Sequence, residues 1–193
     1  AILSDGQKIS NNRFTSEMAK KLKREQRKLS KRALNAKKNN VRLFEASNYQ
    51  KQKRKVARLH EKIKNQRTDF LNKLSTDIIN NHDVICIENL NVKGLLKNHK
   101  LAKNISDVSW SEFIAKLTYK ANWYGKEIVK VDRWFPSSQI YSECGNRDSK
   151  KGLHIRTWTC HHCHANLDRD INASRNILTV GLRLRTVGTT ELA

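Results

Sequence analysis

The stretch Trp134–Leu178 opens W-F-P-S-S-Q-I-Y-S-E-C-G, crosses a basic spacer, and resumes at Trp158 as W-T-C-H-H-C-H-A-N-L-D-R-D-I-N-A-S-R-N-I-L. Cys144 is followed by Gly145, and Cys160 and Cys163 form a C-x-x-C pair. Fifteen residues separate Cys144 from Cys160, the spacing of a zinc ribbon. Each tight knuckle turns its ligands inward so that four donors can surround one Zn²⁺. Asp168 and Asp170 follow at once and open an apolar helix through Ile171, Ile177 and Leu178. Carboxylates at a helix start often only cap it. A metal knuckle set directly before such a start points to a nucleic-acid enzyme more than to a bare finger.

A complete ribbon places donors at positions 141, 144, 160 and 163, and position 141 is Tyr. A phenol with a pKa near 10 is a poor zinc ligand beside thiolates. Three readings stay open. His154, His161, His162 or His164 completes a Cys₃His site; water fills the fourth position; or the ribbon has lost its metal.

Working outward, Asp83–Leu90 reads D-V-I-C-I-E-N-L, a short β-branched run expected to form a buried strand covered on both faces. Cys86 within it is read as core. Glu88 is the unusual residue, because a carboxylate in an apolar strand is costly unless paired or bound to a metal. Ala1–Ile9 has short apolar segments around an Asp-Gly turn, a β-hairpin pattern. Lys93–Asp107 reads as a loop. Ser109–Glu112 reads as a capping box opening a helix that stops at Gly125. Glu127–Phe135 reads as a strand ended by Pro136, and Gly181–Ala193 as a frayed tail.

From Thr15 to Asn81 the pattern is helical, with apolar positions at Met18, Leu22, Leu29, Ala33 and Ala36, then at Val56, Leu59, Ile63, Phe70, Leu74 and Ile78. The break at 39–48 predicts an antiparallel helical hairpin. Between Lys20 and Lys64 there are 18 Lys or Arg against 3 acidic residues. A solvated face is the ordinary fate of such charge, but self-repulsion this one-sided calls for a polyanion against it. The candidate contacts on the first helix are Lys20, Lys21, Lys23, Arg24, Arg27 and Lys28, continuing to Lys31 and Arg32. Those on the second are Lys53, Arg54, Lys55 and Arg58. Few aromatics lie among them, so phosphate contact is expected rather than base stacking.

The whole 193-residue chain carries a formal charge of +21. That excess excludes an ordinary neutral enzyme surface and implies nucleic acid, since no apolar run spans a bilayer and no signal-peptide pattern opens the chain. Cysteines grouped as C-x-x-C beside histidines favour metal binding in a reducing cytosol, with a nucleoid-associated location, over disulfides. The chain opens on Ala1 and its one methionine is Met18, so a fragment, a processed form or a truncated reading frame is expected.

Four segments together resemble the transposon-encoded TnpB (OrfB) family of zinc-ribbon transposases. They are S-S-Q-x-x-S-x-C-G (Ser137–Gly145), W-x-C-x-x-C (Trp158–Cys163), D-R-D-I-N-A-x-x-N-I-L (Asp168–Leu178) and I-E-N-L-N-V-K-G (Ile87–Gly94). The resemblance extends over nearly the whole chain. It implies an α/β fold: an incomplete RNase H-like (RuvC-like) core over residues 1–135, with the basic hairpin at 15–81 and the zinc ribbon at 136–167 inserted. A C-terminal core helix and tail fill 168–193. It also implies a Mg²⁺-dependent DNA endonuclease guided by RNA, with Glu88 and Asp170 as catalytic carboxylates and Cys144, Cys160 and Cys163 as zinc ligands. The sequence departs from the family in having Tyr141 where the family has Cys. The family's first catalytic Asp lies on a strand just before the position of Ala1, so the chain is expected to be inactive by itself. A non-catalytic nucleic-acid-binding remnant or regulator is the alternative.

Overall fold

The structure, a computed structural model, describes residues 1–98, 102–152 and 154–190. Two long helices dominate its first half. Helix α1 (Phe14–Lys38) and helix α2 (Ser47–Asn81) run antiparallel as the predicted hairpin. Their seam is not purely apolar. Glu25 is buried in α1, and the Gln52 side chain of α2 donates to both the Glu25 carbonyl (3.1 Å) and its carboxylate (2.8 Å). This bond and those from Lys28 and Arg24 hold the Glu25 carboxyl down at about 2. A one-turn slip would strand a buried carboxylate, so the pair fixes the register. A second polar cluster fastens the base of the hairpin. Buried Asp107 accepts from the Thr15 amide and hydroxyl and pairs with Arg67 at 3.0 Å.

The core lies where the far half of α2 meets helix α5 (Trp110–Trp123): Leu71, Ile78, Ile79, Phe113, Leu117 and Ala121. Strands β1 (Val84–Glu88) and β2 (Glu127–Val131) pair in parallel, with Ile85 and Ile128 against that cluster. Two short helices, α3 (Val92–Leu96) and α4 (Ala102–Val108), occupy most of the segment expected to be a loop; residues this few per helix leave no readable periodicity. Strands β3 (Thr157–Thr159) and β4 (Asn166–Asp168) form a small antiparallel ribbon, and helix α6 (Arg169–Thr190) returns across β1 and β2. No helix among the described residues is long and apolar enough to cross a membrane.

Several local expectations need correction. The hairpin at 1–9 is present but short: Ile2 bridges Lys8, and backbone bonds join Leu3 to Gln7 and Ala1 to Ile9, without two full strands. Strand β1 is largely half-buried, because one edge faces an open groove and not a neighbour. Ser109 has a left-handed backbone (φ 50°) and its hydroxyl bonds back to Ser106, so there is no capping box. Strand β2 stops at Val131 because the Asp132 carboxylate accepts the Trp134 amide and turns the chain. Gly181 does not start a frayed tail. It lies inside α6, where an added Cβ would sit 2.3 Å from the Cys86 sulfur, so it lets the helix lie close on β1. Residues 191–193 of the expected tail lie outside the described residues. The stop at Gly125 is present: φ is +61°, and the Lys126 amide bonds to the Ala121 carbonyl in a Schellman cap.

Candidate metal centre and acidic groove

The sulfurs of Cys144, Cys160 and Cys163 all lie within 4.8 Å of one another. Cys144 and Cys160 are 3.8 Å apart. Two sulfurs each about 2.3 Å from a tetrahedral ion stand about 3.8 Å apart, so the pair already has the edge length of a zinc tetrahedron. The Cys160 sulfur also accepts the amides of His162 (3.3 Å) and Cys163 (3.4 Å). Burial opposes its thiolate, but these N–H groups prevail and lower its pKa. The donor chemistry therefore fits zinc. Among the described residues no histidine joins the three sulfurs, so the Cys₃His reading finds no support.

Tyr141 is buried and its hydroxyl donates to Asp148, with Lys151 beside it. Burial, with Asp148 next, raises the phenol's pKa, which disfavours it further as a metal ligand. Its ring packs near Trp158 (6.3 Å), so the side chain fills the knuckle as a hydrophobe.

The two carboxylates singled out in the sequence line one groove of about 560 Å³ between residues 1–5, β1 and α6. Glu88 ends β1, half-buried, and burial alone pushes its pKa up. Its carboxylate has no hydrogen-bond or ion-pair partner among the described residues. The D-R-D pair divides its labour. Asp168 accepts the amides of Asp170 and Ile171 and pairs with Lys8 at 2.7 Å, so it is the helix cap. Lys8 and then the Ile171 amide hold its pKa down. Asp170, one residue inside the helix, is left exposed, with Arg156 at 3.8 Å. Among the described residues, the cysteines are the only metal donors that converge as a group of three. Asp5 also lines the groove but accepts its own Gln7 amide in the turn. Glu88 and Asp170 alone thus fall short of the donor set a two-ion centre requires.

Asn172 and Asn176 follow Asp170 in the D-R-D-I-N-A-x-x-N segment. Both are buried on α6. Asn176 donates to the carbonyls of Ser137 (2.8 Å) and Ile140 (2.6 Å), and Asn172 donates to Ile140 and accepts the Ser142 amide. They clamp the first knuckle onto the helix that carries Asp170. Asn at i and i+4 on one helix face was the available signal, but the partners are backbone groups 30 or more residues away.

On the hairpin, Lys20, Lys23, Arg24, Arg27, Lys28 and Lys31 line one shallow groove along α1. Their spacing of three and four residues places them on a single helix face about 16 Å long. Lys21, on α1, and Lys53, Arg54, Lys55 and Arg58, on α2, are exposed as well. Arg32 is spent differently: it donates to the Asn48 carbonyl and braces the turn.

A family profile described as "Probable transposase" (OrfB of IS605) matches residues 1–99, and one described as "Cas12f1-like, TNB domain" matches residues 110–177. A protein of Streptomyces pristinaespiralis, provisionally named an RNA-guided DNA endonuclease, is 44% identical over 96% of this chain and 44% of its own length. The similarly named InsQ of Escherichia coli K12 is 33% identical over 94% of this chain and 46% of its own. The chain thus spans less than half the length of these relatives. A cryo-EM structure of a Cas12f1–sgRNA–target DNA complex superposes with a TM-score of 0.52 at 23% identity, over 65% of this chain and 37% of that one, which is a likeness of fold. With its two halves matched by these profiles, the chain belongs to the TnpB/OrfB IS605 transposase family.

Proposed function

We propose that these residues furnish two metal-binding carboxylates, a zinc ribbon and a basic hairpin to an RNA-guided DNA endonuclease with an RNase H-like core. By themselves they bind DNA and RNA without cutting. The observation that carries this reading is the shared groove: a half-buried, unpartnered Glu88 on the sheet and an exposed Asp170 on α6, with no third carboxylate converging among the described residues. A carboxylate kept half-dry and unpaired is costly unless a cation uses it. Mg²⁺ in such a site would activate water and stabilise the leaving oxygen, but two carboxylates alone do not hold it firmly. The open ribbon holds zinc through Cys144, Cys160 and Cys163, with water in the fourth position. The organisation into a core segment (1–135), a ribbon insertion (136–167) and a final core helix (168–193) belongs to the same proposal.

The test is cleavage of plasmid and oligonucleotide DNA in Mg²⁺, with and without RNA transcribed from the chain's own locus. The expected result is binding that weakens steeply with salt, and no cutting. Cutting that Glu88→Ala abolishes would overturn the claim of inactivity. The rival reading, a non-catalytic binder, is favoured by the six-cation face of α1. It requires that Mg²⁺ never associate with Glu88 or Asp170, which Mn²⁺-induced NMR broadening of those residues would disprove.

A further inference from the structure

Trp134 is 78% exposed, and the Arg133 guanidinium lies 5.0 Å from its ring centroid. Its ring face is open to a ligand, with the cation on hand beside it. The loop carrying it is not slack. Asp132 accepts the Trp134 amide at 2.7 Å, the Phe135 amide bonds to Asp132, and Pro136 follows. Both ends of the loop are fixed to the elements that bear the acidic groove. On one side Val131 is the register partner of Glu88. On the other, Ser137 is held by Asn176 of α6, the helix that begins at Arg169–Asp170. Three residues from Val131 span at most about 10 Å, so the Trp134 backbone stays near the carboxylate end of the sheet.

We infer that Trp134, braced by Arg133, is a stacking platform for an unpaired base of single-stranded nucleic acid entering the Glu88–Asp170 groove. The inference rests on the nucleic-acid reading above and adds a contact which the α1 cations, suited to phosphates, do not supply. An aromatic face takes any base, and a neighbouring Arg adds cation–π attraction and charge for the adjoining phosphate. A base in a duplex is already stacked, so the platform favours single strands. The molecule contains its own control. Trp123 is equally open, at 77%, but lies before Glu127 at the opposite end of β2. A five-residue strand, about 13 Å long, separates the two ends.

The experiment measures fluorescence anisotropy of labelled oligo(dT) and of a duplex of mixed sequence against the 193-residue chain, together with quenching of tryptophan emission. Trp134→Ala is expected to weaken oligo(dT) binding about five-fold or more, and duplex binding less than about two-fold. Trp134→Phe should restore most of the affinity while removing most of the quenching, and Trp123→Ala should change neither. Unchanged oligo(dT) affinity in Trp134→Ala overturns the platform. If the same variant instead loses self-association, the surface is a contact between copies. Failure of the wild-type chain to bind either probe overturns the nucleic-acid reading itself, so the two failures are distinguishable.

Discussion

In the first knuckle the Gly145 amide bonds back to the Tyr141 carbonyl at 2.7 Å and the Tyr141 amide reaches the Asn146 carbonyl at 2.9 Å. In the second, the His164 amide bonds to the Cys160 carbonyl at 3.0 Å and the Cys160 amide to the Ala165 carbonyl at 2.9 Å. Each turn closes on a residue with positive φ, Gly145 at 72° and His164 at 58°. The backbones correspond residue for residue, so Tyr141 stands where Cys160 stands. The difference is how each knuckle is held together. The second turns the Cys160 sulfur into the three-sulfur cluster and fastens it with its own amides. The first fills the place with an aromatic ring, ties its hydroxyl to Asp148 and Lys151, and is fastened from outside by Asn172 and Asn176. The same backbone turn is thus held in one knuckle by its own sulfur and in the other by packing and a neighbouring helix.

The sharpest way to break this comparison is Cys160→Ser. Zinc binding contributes folding free energy directly, on the order of 10 kcal/mol in small zinc modules. We expect the variant to lose its bound zinc, read by atomic absorption, and β3–β4 to lose amide protection. The first knuckle, held by α6, should keep much of its own. Equal collapse of both would show that the first knuckle depends on metal after all.

Asn172→Ala tests the opposite dependence. It orphans the Ser142 amide and weakens the hold on the Ile140 carbonyl, at a cost of about 1–3 kcal/mol for buried unsatisfied groups. Hydrogen exchange should speed at Ser142 and stay unchanged at the Cys160 amide, which bonds within its own knuckle to Ala165. Acceleration at both would mean that the knuckles act as one unit.

Much of this difference could not be read from the sequence. Cys144, Cys160 and Cys163 were legible because metal geometry demands particular residue types at particular spacings. Tyr141 was legible as a missing ligand, yet its bond to Asp148 was not, since neither residue advertises a partner. Asn172 and Asn176 are, in the sequence, two more polar residues after Asp170; their role depends on backbone groups brought near only by the fold. The long helices announced themselves through apolar spacing, whereas Glu25 and Gln52 broke that pattern at the very contact that sets register. Gly181 read as the start of a frayed tail; only the sulfur of Cys86 reveals it as a site of close approach. Glu88 was visible as a charge in an apolar strand, but its lack of a partner is a property of the folded groove.

Tyr141→Cys restores a fourth thiolate to a backbone already shaped for one. Competition with a chelator should show zinc held about tenfold tighter or more, since a soft anionic donor replaces water. No change would mean that the first knuckle's Cα–Cβ vector no longer points at the metal position.

The smallest effect is on the proton of Tyr141. Burial first, and Asp148 second, raise its pKa above the ordinary 10.0, against the opposing pull of Lys151. The folded chain therefore keeps this proton while the unfolded chain gives it up. Stability from this residue is fully present below 10.0 and declines as pH rises beyond that value, because the unfolded state gains by ionising. Phenolate absorbance should show a delayed step that is absent from Tyr141→Phe, and the variant should lose less stability than the wild type above that pH. At neutral pH the variant should cost about 1 kcal/mol, one hydrogen bond, because Lys151 still serves Asp148. If Tyr141 instead ionised early, with zinc bound, the phenolate would be a metal ligand, and the two knuckles would differ in donor chemistry alone.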